Sequence, residues 1–329
     1  MLMKIGASMA PGRRLHRWLT GRGFRIAVSV GLLAFLISWI DLRGMLAELV
    51  GVRYDLVILV LVAMLTTRIV GAFRWYLLLH VHPAVSFPGV VRLTFVSDFV
   101  GYFTPGSLGI ELIRLYGMAK TTGDGALSAA SMLVERAIGL CTLVLLVLLG
   151  IGFHPPGLPP GIGPLAWLGL ALLVAGTALL MTQPARRLTL YLLASAKLRR
   201  VHSAAEKVYF ALDHYRRRPG LLVAAFATGV LFQLLRCAET AIGAAALGFH
   251  LPFELFTVIV PVVILITLLP ISIAGLGVRE VGFVYLFGLA GMPAEIALAL
   301  SLLTRLLNLL MALPGAWFYI RHGVVASSR

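Results

Sequence analysis

The chain has 329 residues, 60% of them hydrophobic and 12% charged, with a mean hydropathy of +0.98. A soluble domain is about 45–50% apolar and about 25% charged, so this composition excludes a soluble enzyme, a disordered chain and a disulfide scaffold. The net charge of +15 is concentrated in segments that flank apolar runs, which reads as positive-inside orientation and not as nucleic-acid binding.

Residues 1–25 carry Lys4, Arg13, Arg14, Arg17, Arg22 and Arg25 and no acid, and are expected in the cytoplasm. The run 26–41 follows. It lacks a small-residue cleavage site around Trp39–Leu42, so it reads as a retained anchor helix. The run 54–79 is long enough to cross a bilayer, which takes about 20 residues. The stretch 92–118 is apolar but broken by Thr104-Pro105-Gly106-Ser107-Leu108-Gly109, and Pro and Gly interrupt helices. Crossings at 126–151 and 163–182 bracket a Pro-rich turn at 154–160. A basic cytoplasmic segment, 184–219, reads as a loop between spans, and a further crossing follows at 220–247. The stretch 255–290 is again broken, at Pro270 and at Ala274-Gly275-Leu276-Gly277, before a last crossing at 294–320 and a tail with Arg321.

These elements predict an all-α polytopic membrane protein, since the alternation of a closed barrel is missing. If the basic N-terminus, segment 184–219 and the tail 321–329 are all cytoplasmic, six runs are full crossings. The broken stretches 92–118 and 255–290 are then re-entrant hairpins. Reading 92–118 as a kinked full crossing instead would put the two basic segments on opposite sides. Broken backbone at membrane depth is tolerated where it is buried in protein or lines a watery cavity. The expected organisation is one membrane domain over 26–320, in the cytoplasmic (inner) membrane of a bacterial-type cell.

Shifting the sequence by 169 positions superposes its halves without a gap. Pro83 meets Pro252, Phe87 meets Phe256, Glu111 meets Glu280, Tyr116 meets Tyr285 and Arg136 meets Arg305. One crossing, 163–182, separates the units 54–151 and 220–320, so they would have opposite orientations. Interrupted segments at matching places in inverted halves point to a midplane binding site.

Ionisable residues inside spans cost about 2.5–3.5 kcal/mol each on insertion scales, yet this chain has many. Each half offers a Gly-rich break, then a Glu, then an Arg 25 residues later: Glu111 with Arg136, and Glu280 with Arg305. Half-helices starting at Pro105, Gly106 and Gly109, and at Pro270, Gly275 and Gly277, would aim free N–H groups at an anion. Arg136 and Arg305 add fork-shaped donors suited to phosphate. Glu111 and Glu280 would balance them or contact a cationic headgroup, unless each Glu–Arg pair is purely structural. Ser107 is a candidate cap, and Asn308, Arg114 and Arg279 are candidate contacts. Glu111–Arg114 and Arg236–Glu239 have the spacing of local helical pairs. Arg68 and Arg74 are placed either in such a network or snorkelling to an interface. There is no metal-ligand cluster, nucleophile elbow or Walker loop, so no metal, cofactor or ATP is expected.

The runs Phe103-Thr104-Pro105-Gly106-Ser107-Leu108-Gly109-Ile110-Glu111-Leu112-Ile113-Arg114, Ser131-Met132-Leu133-Val134-Glu135-Arg136 and Pro270…Ala274-Gly275-Leu276-Gly277-Val278-Arg279-Glu280 resemble the membrane domain of lysylphosphatidylglycerol synthase/flippase proteins, over about residues 25–320. The resemblance implies a helical membrane fold with re-entrant segments and a role in moving lipids between leaflets. The chain is expected to be a stand-alone member without the aminoacyl-transfer domain, and so not to make lysyl-phosphatidylglycerol. Stand-alone relatives are associated with polyprenyl-phosphate sugars and hopanoids. The expected function is a flippase- or scramblase-like transporter of an anionic phospholipid or polyprenyl-phosphate lipid. It would act without covalent chemistry and alongside a possible lipid-biosynthesis enzyme partner. The rivals are an intramembrane headgroup-modifying enzyme with Glu111 or Glu280 as general base, and a non-transporting accessory subunit.

Overall fold

The computed structural model describes residues 50–324 except 81, 103–107, 154–162, 165–166, 170, 173–174, 177–181, 196–198 and 269–274. The expected crossing at 26–41, half of 163–182, and Pro105, Gly106, Ser107 and Pro270 lie outside the described residues. Among the described residues there are ten named helices and no strand.

The first four are α1 (Tyr54–Leu79), α2 (Phe87–Tyr102), α3 (Leu108–Thr122) and α4 (Gly125–Gly152). Two shorter polar helices follow, α5 (Gln183–Ser195) and α6 (Arg199–Arg216). The last four are α7 (Pro219–Ala246), α8 (Phe253–Thr267), α9 (Val278–Leu289) and α10 (Ala294–His322). Helices α1, α4, α7 and α10 are each long and apolar enough to cross a membrane. They agree with four of the expected crossings to within two residues at either end.

Local chemistry sets several of the ends. Asp124 caps α4, its Oδ1 accepting from the N–H groups of Ala126 (2.9 Å) and Leu127 (3.0 Å), which satisfies two of the open donors of the first turn. Pro219 opens α7 at a position where its missing N–H costs nothing. Gly277 precedes α9 with φ of 81°, a left-handed conformation that a side chain would strain.

Segment 184–219 differs from expectation. It is not a loop but the helices α5 and α6. Its arginines and lysines are good helix formers, and one apolar stripe of α6 finds a core. Leu212 and Tyr215 are buried with Leu78, Ala130, Val134, Ile138 and Ala225.

The two sets of four run long, short, short, long, and they pack reciprocally. Helix α1 lies along α7, α2 packs on α10, and α8 packs on α4. Each short helix that follows a long one therefore rests on the last long helix of the other set. A glycine sits at each of these crossings. A Cβ on Gly315 of α10 would overlap the Phe95 carbonyl of α2, and one on Gly150 of α4 would overlap Thr257 of α8. Within each set the broken pair also packs together, α2 on α3 and α8 on α9. Tyr116 and Tyr285, matched by the 169-residue shift, are exposed to similar extents.

Candidate functional site

A cavity of about 310 Å³ opens between the two sets of helices. Helices α1, α3 and α4 contribute Arg74, Glu111, Arg114, Glu135, Arg136 and Gly139. Helices α7 and α8 contribute Phe232, Gln233, Arg236 and Ile264, with Leu268 at the C-cap of α8. Four arginines face two glutamates, so the lining carries excess positive charge. Its far side mixes apolar Phe232, Ile264 and Leu268 with Gln233 and Arg236. Four of the five helices, α1, α4, α7 and α8, are apolar, and charge set among apolar helices interacts more strongly than in bulk solvent.

Two layers of charge can be separated. The inner layer is Glu135, which accepts from Arg74 on Oε1 (3.0 Å) and from Arg114 on Oε2 (2.9 Å). Arg74 and Glu135 are both buried. The Arg114 guanidinium lies 4.0 Å from the Trp75 ring centroid, close enough for cation–π attraction, and Trp75 Nε1 donates to Ser131 Oγ at 3.3 Å. Each of these residues has a partner in the network, while Arg74 Nε and Nη1 and Arg114 Nε make no hydrogen bond among the described residues. The outer layer is the ion pair of Glu111 with Arg136, whose Arg136 side chain is 41% exposed. Gln233 is buried on the far wall, and its Oε1 has no hydrogen-bond partner among the described residues.

The expected local pairs do not form. Arg114 turns from Glu111 to Glu135, because a buried carboxylate one helix away offers a drier, doubly paired site than a neighbour on its own surface. Glu239 is buried, and no ion pair joins it to Arg236 among the described residues. Arg68 and Arg74 do not snorkel. Arg74 is in the inner layer, and Arg68 Nε pairs with Asp98 at 3.3 Å.

The second half of the expected site forms a separate cluster. Glu280 is fully buried and pairs with Arg305 at 3.1 Å. Its Oε2 also accepts from the Gly277 N–H at 2.7 Å. The start of α9 is therefore capped from within and does not offer that N–H to an anion, as had been expected of Gly275 and Gly277. Arg279 donates to Thr304 Oγ1 at 2.8 Å, and Asn308 accepts from Arg68. Of the residues expected to bind substrate, Glu111, Arg114 and Arg136 line the cavity, while Arg279, Glu280, Arg305 and Asn308 are outside its lining. Gly109 lies in the first turn of α3. Reasoning from the repeated set alone missed Arg74, Glu135, Gln233 and Arg236, which have no matching residue type in the other half. The signal available was their chemistry, charged or amide groups inside long apolar runs.

A family model described as the lysylphosphatidylglycerol synthase TM region matches residues 24–315, so the chain belongs to that family. It is a multi-pass membrane protein. No curated protein and no solved structure matches it.

Proposed function

We propose that this member of the lysylphosphatidylglycerol synthase TM-region family is a lipid translocase of flippase or scramblase type, carrying an anionic, phosphate-bearing lipid between leaflets. The observation that supports this best is the cavity itself. Its arginines suit a phosphate, and its apolar patch of Phe232, Ile264 and Leu268 suits the start of an acyl or prenyl tail. Arg136 and Arg236 are the phosphate donors in this reading. Glu111 holds Arg136 when the site is empty and releases it to the headgroup. Glu135 keeps Arg74 and Arg114 in place.

The reciprocal packing of the two helix sets supports an inverted-topology repeat, with α2–α3 and α8–α9 as re-entrant hairpins entering from opposite faces. In that arrangement the cavity lies at the seam where substrates of inverted-repeat transporters bind. The Glu280–Arg305 pair is the counterpart of Glu111–Arg136 in the other half. The protein works in the cytoplasmic membrane with both termini in the cytoplasm, and moves lipid without altering it.

The test is leaflet exchange in proteoliposomes with labelled anionic, zwitterionic and polyprenyl-phosphate lipids, comparing the natural protein with Arg136→Ala. Headgroup-selective exchange, reduced at least tenfold in the variant, is the expected result. Absence of exchange of every lipid from folded protein, or equal exchange by the variant, would overturn the proposal.

A further inference from the structure

We infer that the α5–α6 hairpin is an interfacial element, with the outer face of α5 seated on the headgroup layer of an anionic leaflet. This surface is distinct from the cavity, and the inference does not depend on translocation. The two helices are the most amphipathic of those described. Helix α5 has 13 residues, about 20 Å at 1.5 Å per residue, too short to cross a hydrocarbon core of about 30 Å.

The hairpin's orientation is fixed on one side. Helix α5 packs on α6, where Arg186 pairs with Asp213 at 3.1 Å and the Tyr209 hydroxyl donates to Thr189 at 3.1 Å. The other side of α5 shows Leu188 and Tyr191, 59% and 70% exposed and nearly one turn apart. Arg187 is exposed on the same face.

The hairpin's level is also fixed. Helix α6 packs on α4, and its Tyr215 hydroxyl donates to the Leu78 carbonyl in the last turn of α1 at 2.8 Å. From the last residue of α6, the exposed Arg216, Arg217 and Arg218 lead into Pro219, the first residue of α7. One membrane-crossing helix ends and another begins beside this hairpin, so it stands at the boundary between water and hydrocarbon. There, leucine settles at the acyl margin, tyrosine belongs to the interfacial belt, and arginine reaches phosphate.

Charge selects the lipid. Segment 184–219 carries nine lysines and arginines against Glu206 and Asp213, and such clusters beside a span attract anionic headgroups.

The experiment places spin labels on the full-length protein at Leu188→Cys, Tyr191→Cys, Ser203→Cys and Glu206→Cys, in a Cys141→Ala/Cys237→Ala background. Each is reconstituted in vesicles of phosphatidylglycerol with phosphatidylethanolamine, or of phosphatidylcholine alone. Accessibility to oxygen relative to a water-soluble nickel complex reports depth. In the anionic vesicles the ratio at 188 and 191 is expected to be at least threefold that at 203 and 206. It is expected to fall toward the α6 values in phosphatidylcholine, and with Arg187→Glu. Four positions that are equally nickel-accessible would place the hairpin in water and overturn the inference. Shielding of 188 and 191 from both reagents would overturn it in favour of a protein surface, a second copy or a partner. An unchanged ratio in phosphatidylcholine would overturn the choice of an anionic leaflet.

Discussion

Arg68 on α1 donates to Asn308 on α10 twice, to its side-chain oxygen at 3.1 Å and to its backbone carbonyl at 3.2 Å. Two residues 240 positions apart thus tie the first set of helices to the last helix of the second. Hydrogen bonds to charged groups contribute about 1.5–3 kcal/mol, and here the side-chain bond is one of several on Arg68. Asn308→Leu is expected to destabilise the protein by about 1–2 kcal/mol, with Asp98 and the carbonyl still holding Arg68. Thermal unfolding in detergent of Asn308→Leu, set against Asn308→Gln, checks it, and equal stability of the natural protein and both variants would contradict it.

Glu135 and Arg136 are sequence neighbours with opposite expected phenotypes. Removing Glu135 leaves Arg74 buried without its counter-charge, and breaking a buried pair costs about 3–5 kcal/mol. Glu135→Ala is therefore expected to lower the yield of folded protein severely. Arg136 is half-exposed, and such pairs contribute about 0–1 kcal/mol, so Arg136→Ala should fold normally and lose exchange. Size-exclusion profiles together with lipid exchange separate the two, and a folded, active Glu135→Ala protein would refute the assignment of roles.

Glycines of the long helices also divide by what surrounds them. Gly139 lines the cavity, and a Cβ there meets nothing within 4 Å among the described residues. Gly139→Leu should enter that space, leave stability unchanged or improved, and block exchange. Gly315 touches the α2 backbone, so even Gly315→Ala should destabilise by about 1–3 kcal/mol, the cost of overpacking. Melting curves of both variants with exchange rates for Gly139→Leu decide the matter. Normal exchange by Gly139→Leu would argue against this cavity as the lipid route.

Burial of Tyr215 pushes its phenol up from the ordinary tyrosine range. The folded state then holds this proton more tightly than the unfolded one. The stabilisation is complete below the ordinary phenol pKa and is lost as pH rises through and above it. Tyr215→Phe removes that alkaline slope, and it also loses the bond to the Leu78 carbonyl, about 1 kcal/mol. Chemical-denaturation midpoints measured across neutral to strongly alkaline pH in both proteins test this, and parallel curves would contradict it.

The long apolar runs made α1, α4, α7 and α10 legible, because a span is nearly uniform in composition and needs only length. The Glu111–Arg136 and Glu280–Arg305 pairs were legible because the same two types recur at the same spacing in both halves. Arg114 was read with Glu111 by helical spacing, and its true partner, Glu135, depends on how α3 lies against α4, which no local pattern records. Gly277 was read as the start of an open helix end, yet Glu280 folds back to cap it. Segment 184–219 was read through its charge alone, while the stripe containing Leu212 and Tyr215 carried the helix.

The crossed seating of α2 on α10 has a consequence for synthesis. Phe95 and Gly315, which meet at that contact, are separated by most of the chain. When α2 leaves the ribosome its partner does not yet exist, and α4 likewise waits for α8. Both α2 and α4 are therefore made before the helices they rest on, and α10, the last of the described helices, completes the seat of α2.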